Sequence, residues 1–280
     1  AVLGSLRSPR VAGNLRLAAA NLEFGERRLG SIELDARLAE RQATAALRAP
    51  LFGFRTELRA GTQAPYPATL ELDADQTDLA HLPPLAGTLT ATVRAAGDLD
   101  DYTAGRAEAE VNLNAQWQGR PIRTEGPLRA RYESGMLTLE PSTLSAEASR
   151  VELSGTWPLV DSADEGAIRL AGALDLATLA AYIPAEDPIT ASGAASLEGT
   201  IAGNLRRIDP NLTLTLRDGG LSGPGLPAPV SNAALRATLR GGAVELQDLR
   251  AEFGPASIAA SGVVPLALAG ELPVELPPSQ

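Results

Sequence analysis

The chain holds one histidine, His81, and no cysteine, and those two counts bound the chemistry open to it. Zinc prefers imidazole and thiolate ligands, so a site here would have to be almost entirely carboxylate. A Ser-His-Asp relay would have to use His81, yet no G-x-S-x-G elbow presents a serine. His81 lies beside Pro83 and Pro84 and reads as a structural or surface residue. Asp73, Asp75 and Asp78 open like a calcium loop. An EF-hand needs Gly at the sixth position and Glu at the twelfth, where this chain has Asp78 and Pro84. Asp98, Asp100 and Asp101 read as solvated turn residues. One unit further on their places are taken by Asn204, Arg206 and Arg207, so no carboxylate cluster is repeated. A phosphate-cradling G-x-x-x-x-G-K loop needs a lysine, and all 24 basic residues are arginine, a bias that GC-rich coding explains. The expectation is a non-enzyme with no catalytic residues, no metal and no cofactor.

Almost everything else in the chain belongs to elements that alternate. Leu15, Leu17 and Ala19 recur at period two, as do Ile32, Leu34, Ala36 and Leu38, and the pattern continues to Val244 and Leu246. Such runs are strands with one side wet and one side apolar. Glu133-Ser134-Gly135, Asp218-Gly219-Gly220, Gly241-Gly242 and Ser261-Gly262 punctuate them as turns. Short strands at this spacing indicate an all-β architecture of roughly 20 strands. Two stretches break the alternation, Asp73–Pro84 and Ala173–Pro184, each with apolar residues at helical spacing before a proline. Each predicts about two turns of helix. The proline-rich Leu221–Val230 reads as a loop or sheet edge.

Composition narrows the partners. The net charge of −10 disfavours nucleic acid. Hydrophobic residues make up 44% but aromatic residues only 4%, so the apolar surface is aliphatic and lacks the girdles of an outer-membrane barrel. No stretch is long and apolar enough for a spanning helix, and Ala1–Arg10 does not resemble a signal peptide. Asn211-Leu212-Thr213 fits a glycosylation sequon and reads as an accidental match.

The chain also repeats itself. Leu128–Leu159 aligns without a gap on Leu235–Leu266 at an offset of 107, placing Gly135 on Gly242, Leu139 on Leu246 and Gly155 on Gly262. Gly87–Leu99 lies over Gly193–Leu205 at an offset of 106. Stacked supersecondary units of this kind make elongated arrays. Three units follow: a degenerate one over 1–86, a second over 87–192, and a third with a tail over 193–280.

Several motifs carry a family resemblance. A leucine-containing stretch closes on proline, then a glycine-led hairpin entry begins, as in Leu79 to Val93 with Gly97-Asp98-Leu99 and Leu179 to Ile201 with Gly203-Asn204-Leu205. The units end on Ser154–Leu159 (SGTWPL) and Ser261–Leu266 (SGVVPL). From about Gly13 to Leu266 the chain resembles the repeats of TamB and AsmA-like bacterial envelope proteins. The resemblance implies an internal segment of a longer protein, anchored elsewhere in the inner membrane and reaching across the periplasm. It implies an elongated sheet curled into a U-shaped, taco-like trough with an apolar concave face and short helices between repeats. It also implies phospholipid acyl chains as cargo and an outer-membrane barrel assembly protein as a second partner. The candidate groove-lining residues are Leu89, Val93, Val111, Leu113, Leu128, Leu137, Leu139, Val151, Leu153, Ile168, Leu170, Leu212, Leu214, Leu216, Leu235, Leu239, Val244, Leu246 and Ile258. Two readings stand beside the conduit. One is a scaffold for outer-membrane protein assembly that offers sheet edges to nascent strands. The other is a closed β-solenoid with a self-packed core, because a dry core and a lipid groove ask for the same residues.

Overall fold

The structure is a computed structural model. It describes residues 12–265 apart from 25–26, 40, 82–84, 162, 183–188 and 225. Among the described residues the alternating runs form 17 strands in one sheet. The first five are β1 (Gly13–Phe24), β2 (Arg27–Ala39), β3 (Gln42–Ala49), β4 (Phe54–Gly61) and β5 (Pro67–Asp78). Next come β6 (Leu85–Asp98), β7 (Asp101–Trp117), β8 (Arg120–Thr124), β9 (Leu128–Glu133), β10 (Met136–Ala146), β11 (Ser149–Pro158) and β12 (Gly166–Asp175). After a short helix α1 (Leu176–Ala181) the chain ends with β13 (Thr190–Gly203), β14 (Ile208–Ser222), β15 (Val230–Arg240), β16 (Ala243–Phe253) and β17 (Ala256–Pro265).

Neighbours in sequence are neighbours in the sheet, and every pairing is antiparallel. The exception is local. β8 and β9 lie end to end in one place, pairing with the two ends of β7 on one side and with β10 on the other. The only residue pairings of β1 are with β2, and those of β17 are with β16, so among the described residues the sheet has two free edges.

Register follows from side-chain chemistry, because a slip of one residue would turn every side chain to the opposite face. One line of opposed residues runs Leu17, Leu34, Leu47, Thr56, Leu72, Val93 and Ala109. It continues through Ala130, Leu139, Gly155, Ile168 and Ile201. The alternate positions put Arg55 opposite Asp73, Glu71 opposite Arg94, and Glu108 opposite Arg131. Those pairs close as ion pairs at 3.2, 3.2 and 3.3 Å. Each is solvent-exposed and adds little stability, and only between β7 and β9 do the charges specify register, since a two-residue shift there would set Glu108 opposite Glu133.

The repeat is visible in the backbone. Ser134 and Gly135 turn with φ of 50° and 84°, as Gly241 and Gly242 do with 58° and 74° at the offset of 107. Positive φ at both central residues is the hairpin turn whose twist matches that of the strands. A register shift interrupts β10 after Leu139 and β16 after Leu246, again at equivalent places. Close approach explains a third shared feature. Gly155 has φ 142°, and a Cβ there would fall on the carbonyl oxygen of Ala167 in β12. Gly199 of β13 meets Asn211 of β14 in the same way.

One expectation needs correction. Over Asp73–His81 there are not two turns of helix: β5 continues through Asp78, and Leu79–His81 make a single 3-10 turn, while 82–84 lie outside the described residues. The alternation Leu70, Leu72, Ala74 finds partners in β4 and β6, and those ladders override a weak helical spacing. Ala173–Pro184 contains the expected short helix, the six residues of α1, with 183–184 outside the described residues. Seventeen strands lie among the described residues, against the roughly 20 expected of the whole chain. Of the proline-rich Leu221–Val230, read as a loop or sheet edge, Leu221 and Ser222 end β14 and Val230 begins β15, and the described residues between them form a loop.

Candidate functional site

All of the candidate lining residues occur in one phase of the sheet. On β6 and β7, Leu89 opposes Leu113 and Ala91 opposes Val111, with Val93 two residues along; Val111 in turn opposes Leu128. Leu137 and Leu139 oppose Tyr132 and Ala130. Beyond the bulge, Val151 opposes Leu144, and Leu153 opposes Leu170, beside Ile168. On the third unit Leu212 meets Leu239, Leu214 meets Ala237, and Leu216 meets Leu235. Val244 and Leu246 then meet Leu239 and Ala237, and Ile258 meets Ala251. Residues opposed across a ladder, and residues two apart along a strand, share a face.

Their burial is uniform. Every one of these side chains is half-buried except Ile258, which is exposed. Leucines enclosed in a dry core are covered almost completely. Here the buried apolar residues among those described are Ala49, Ala74, Leu79, Ala115, Ala191 and Ala195 with Pro158 and Pro210, so one leucine stands among small side chains and prolines. None of the candidate leucines among the described residues is fully buried.

The same phase contains residues that sequence reasoning left off the candidate list. Leu47, Leu58, Leu70 and Leu72 extend it through the first unit. Leu144 and Leu249 join it as well, paired with Val151 and Leu235. Both follow a bulge, at Glu140-Pro141 and Gln247-Asp248, where an extra residue resets the count of two. The signal that could have found them is the coincidence of these breaks at the offset of 107.

Shallow hollows occur on both sides of the sheet. On the Leu-bearing side, one of about 410 Å³ is lined by Leu15, Leu38, Ala45 and Leu58, and another of about 260 Å³ by Leu58, Leu70, Ala95 and Tyr132. On the charged side a hollow of about 680 Å³ is bounded by Arg59, Asp98, Arg106 and Glu133.

The residues first weighed for chemistry are dispersed. Asp73, Asp75 and Asp78 lie along β5, and His81 ends the 3-10 turn. Among the described residues no group of three or more His, Cys, Asp or Glu is placed to hold a metal ion. Asp101 accepts the Thr103 amide at 3.1 Å, and the Thr103 hydroxyl hydrogen bond holds its carboxyl below the usual range. Asn204, in the equivalent turn, accepts the amides of Arg206 and Arg207 at 2.9 and 3.1 Å. Arg206 reaches back to Asp161, whose carboxyl its guanidinium holds low. These carboxylates fasten turns. No helix among the described residues is long and apolar enough to cross a membrane.

No protein-family model matches the chain, and no curated protein or solved structure matches it.

Proposed function

We propose that this chain is a periplasmic segment of a bridge-like, TamB/AsmA-type envelope protein that carries phospholipid acyl chains along its sheet. The observation that supports this reading is the line of mostly Leu, Val, Ile and Ala that runs from β1 to β17, half-buried between β2 and β16, exposed on β1 and β17, and backed by ion pairs on the other side. A sheet with one aliphatic side must cover it with a second layer or with something else. In this proposal the sheet curls so that the aliphatic side lines a trough, and acyl chains are the second layer. Each buried methylene is worth about 0.8 kcal/mol, so a chain of ~15 carbons gains on the order of 10 kcal/mol before entropic losses. With β8 and β9 sharing one place, the strands span about 70 Å at ~4.8 Å per step, a length suited to one section of a conduit. A lining without aromatic girdles or fixed polar groups holds acyl chains without selecting one position, which transport along a groove requires.

The test is organic extraction and mass spectrometry of the purified chain. Phospholipid at a reproducible stoichiometry is expected. It should be lost when Leu139 and Leu246 are both replaced by Asp, since a carboxylate in hydrocarbon is strongly unfavourable. Arg94→Gln, on the opposite side, should retain it. A folded chain free of lipid, or a double Asp variant that keeps its lipid, overturns the conduit and leaves a self-packed array or an assembly scaffold.

A further inference from the structure

Resting on the acyl-conduit reading, we propose that phospholipids lie on the sheet with a single polarity. Their headgroups follow the rim of hairpin turns that holds Leu99 and Leu205, and their tails point toward the rim that holds α1. In an antiparallel meander the connections alternate between two rims. The 3-10 turn Pro50–Phe52 after β3, the 3-10 turn Leu79–His81 after β5 and α1 after β12 all fall on one rim. The connections β4–β5, β6–β7, β11–β12 and β13–β14 fall on the other.

The helix-bearing rim is covered on the Leu-bearing side. α1 packs on β13, where Ala191 and Ala195 are buried. Ala195 opposes Leu174 and Leu216, which puts both alanines in the leucine phase. The Asp175 amide leading into α1 donates to the hydroxyl of Ser149, a buried residue two before Val151 and so in the same phase. The turn Pro50–Phe52 packs on β5, where Ala74 is buried; Ala74 opposes Ala91, and Ala91 opposes Val111. The turn Leu79–His81 packs on β6, whose Gly87 opposes the buried Ala115, two residues beyond Leu113. Away from this rim, the buried non-glycine residues of the leucine phase among those described are Ser142, at a bulge, and Pro210. Leu176–Ala181 and Pro50–Phe52 contain no charged side chain, so a headgroup finds no ionic partner in them.

The turn rim has the opposite character. Leu99 and Leu205 stand in equivalent turns at the offset of 106, 59% and 49% exposed. Asp100 and Asp101 follow the first, and Arg206 and Arg207 follow the second. Tyr66 and Leu159 are exposed on the same rim. The apolar hollow of about 260 Å³ lies here, with Leu99 on its wall. An exposed leucine beside charges matches the glycerol region of a phospholipid, which is apolar on one side and carries the charged headgroup on the other. A headgroup beneath α1 would lose water and gain no partner. At the turn rim it stays in water beside charges of both signs.

The chain has no native cysteine, so Leu205→Cys and Leu179→Cys, exposed positions near opposite ends of β13, can each take one fluorophore. The lipid-stripped chain is loaded with phosphatidylcholine bearing a nitroxide either on the headgroup or at the end of one acyl chain. The ratio of headgroup to acyl-end quenching should be several-fold higher at Leu205→Cys than at Leu179→Cys. Leu99→Cys should behave as Leu205→Cys does. Equal ratios at the two rims, or a higher ratio at Leu179→Cys, overturn the single polarity and leave the conduit in place. Absence of quenching while the unlabelled chain retains lipid also overturns the polarity. A chain that retains no lipid at all overturns the conduit reading beneath it.

Discussion

Gly155 and Gly262 are a matched pair whose backbones agree and whose surroundings differ. Both have positive φ, so replacing either by alanine carries a similar conformational cost. At Gly155 the new methyl group also meets the Ala167 carbonyl of the adjoining strand, whereas at Gly262 it meets nothing within 4 Å. Gly155→Ala should therefore be more destabilising than Gly262→Ala by about 2–3 kcal/mol, measured as the difference in urea unfolding free energies. Equal losses would mean that φ alone decides these positions. A sequence reading sees two identical glycines in SGTWPL and SGVVPL, and only the neighbour across the ladder separates them.

At the scale of elements, the linkers between units act as braces. Asp175 caps α1 by accepting the Thr178 amide at 2.8 Å, and its own amide donates to the Ser149 hydroxyl at 3.0 Å. At the far end of α1 the Tyr182 hydroxyl donates to the Pro121 carbonyl at 2.9 Å. Pro121 belongs to β8, separated from β12 by β10 and β11, so α1 reaches back across three strand places. The 3-10 turn after β5 likewise reaches β2, three places back. Thr178 and Leu79, the buried residues of the two linkers, are 3% and 4% exposed. The cap predicts a pH dependence. The Thr178 amide holds the Asp175 carboxyl below its ordinary value of 3.8, so the charged form is favoured in the folded state. That contribution is fully present above the ordinary value and is lost as pH falls through the lowered one. Acidification below about pH 4 should speed hydrogen exchange at the Thr178 amide relative to the β12–β13 ladder, once corrected for intrinsic rates. Asp175→Asn, which keeps an acceptor but cannot titrate, should remove that pH dependence.

The whole molecule is a one-dimensional stack, since each strand touches the next and little else. Stability in such arrays is a sum of local terms and nearest-neighbour interfaces, so it need not be uniform. Native-state hydrogen exchange should be fastest in β1 and β17, which have one neighbour each, and slowest toward the middle, where the long ladders of β6 with β7 and β13 with β14 lie. Uniform protection from end to end would mean a single cooperative unit, which a second packed layer would produce.

Strand content, turns and the repeat were legible from residues alone, because they are local physics. Period-two alternation specifies a strand with two unlike sides. Gly135 and Gly242 mark turns that need positive φ, and the offset of 107 survives wherever the same turn recurs. Asp73–Pro84 was misread because a helical spacing over four apolar residues is a weak local preference, and the ladders with β4 and β6 outweigh it. Leu144 and Leu249 escaped because a bulge shifts phase without changing composition. The candidate lining residues were chosen by alternation, which says that they share a side of their own strand. That seventeen such strands share one side with each other is a matter of register, and register is set between strands by opposed leucines and opposed charges. Whether an aliphatic side is covered also depends on where other layers pack, and no stretch of sequence carries that information by itself. Tertiary structure brings these candidate residues into one phase of a single sheet, half-buried apart from Ile258, because the ladders between strands fix their register.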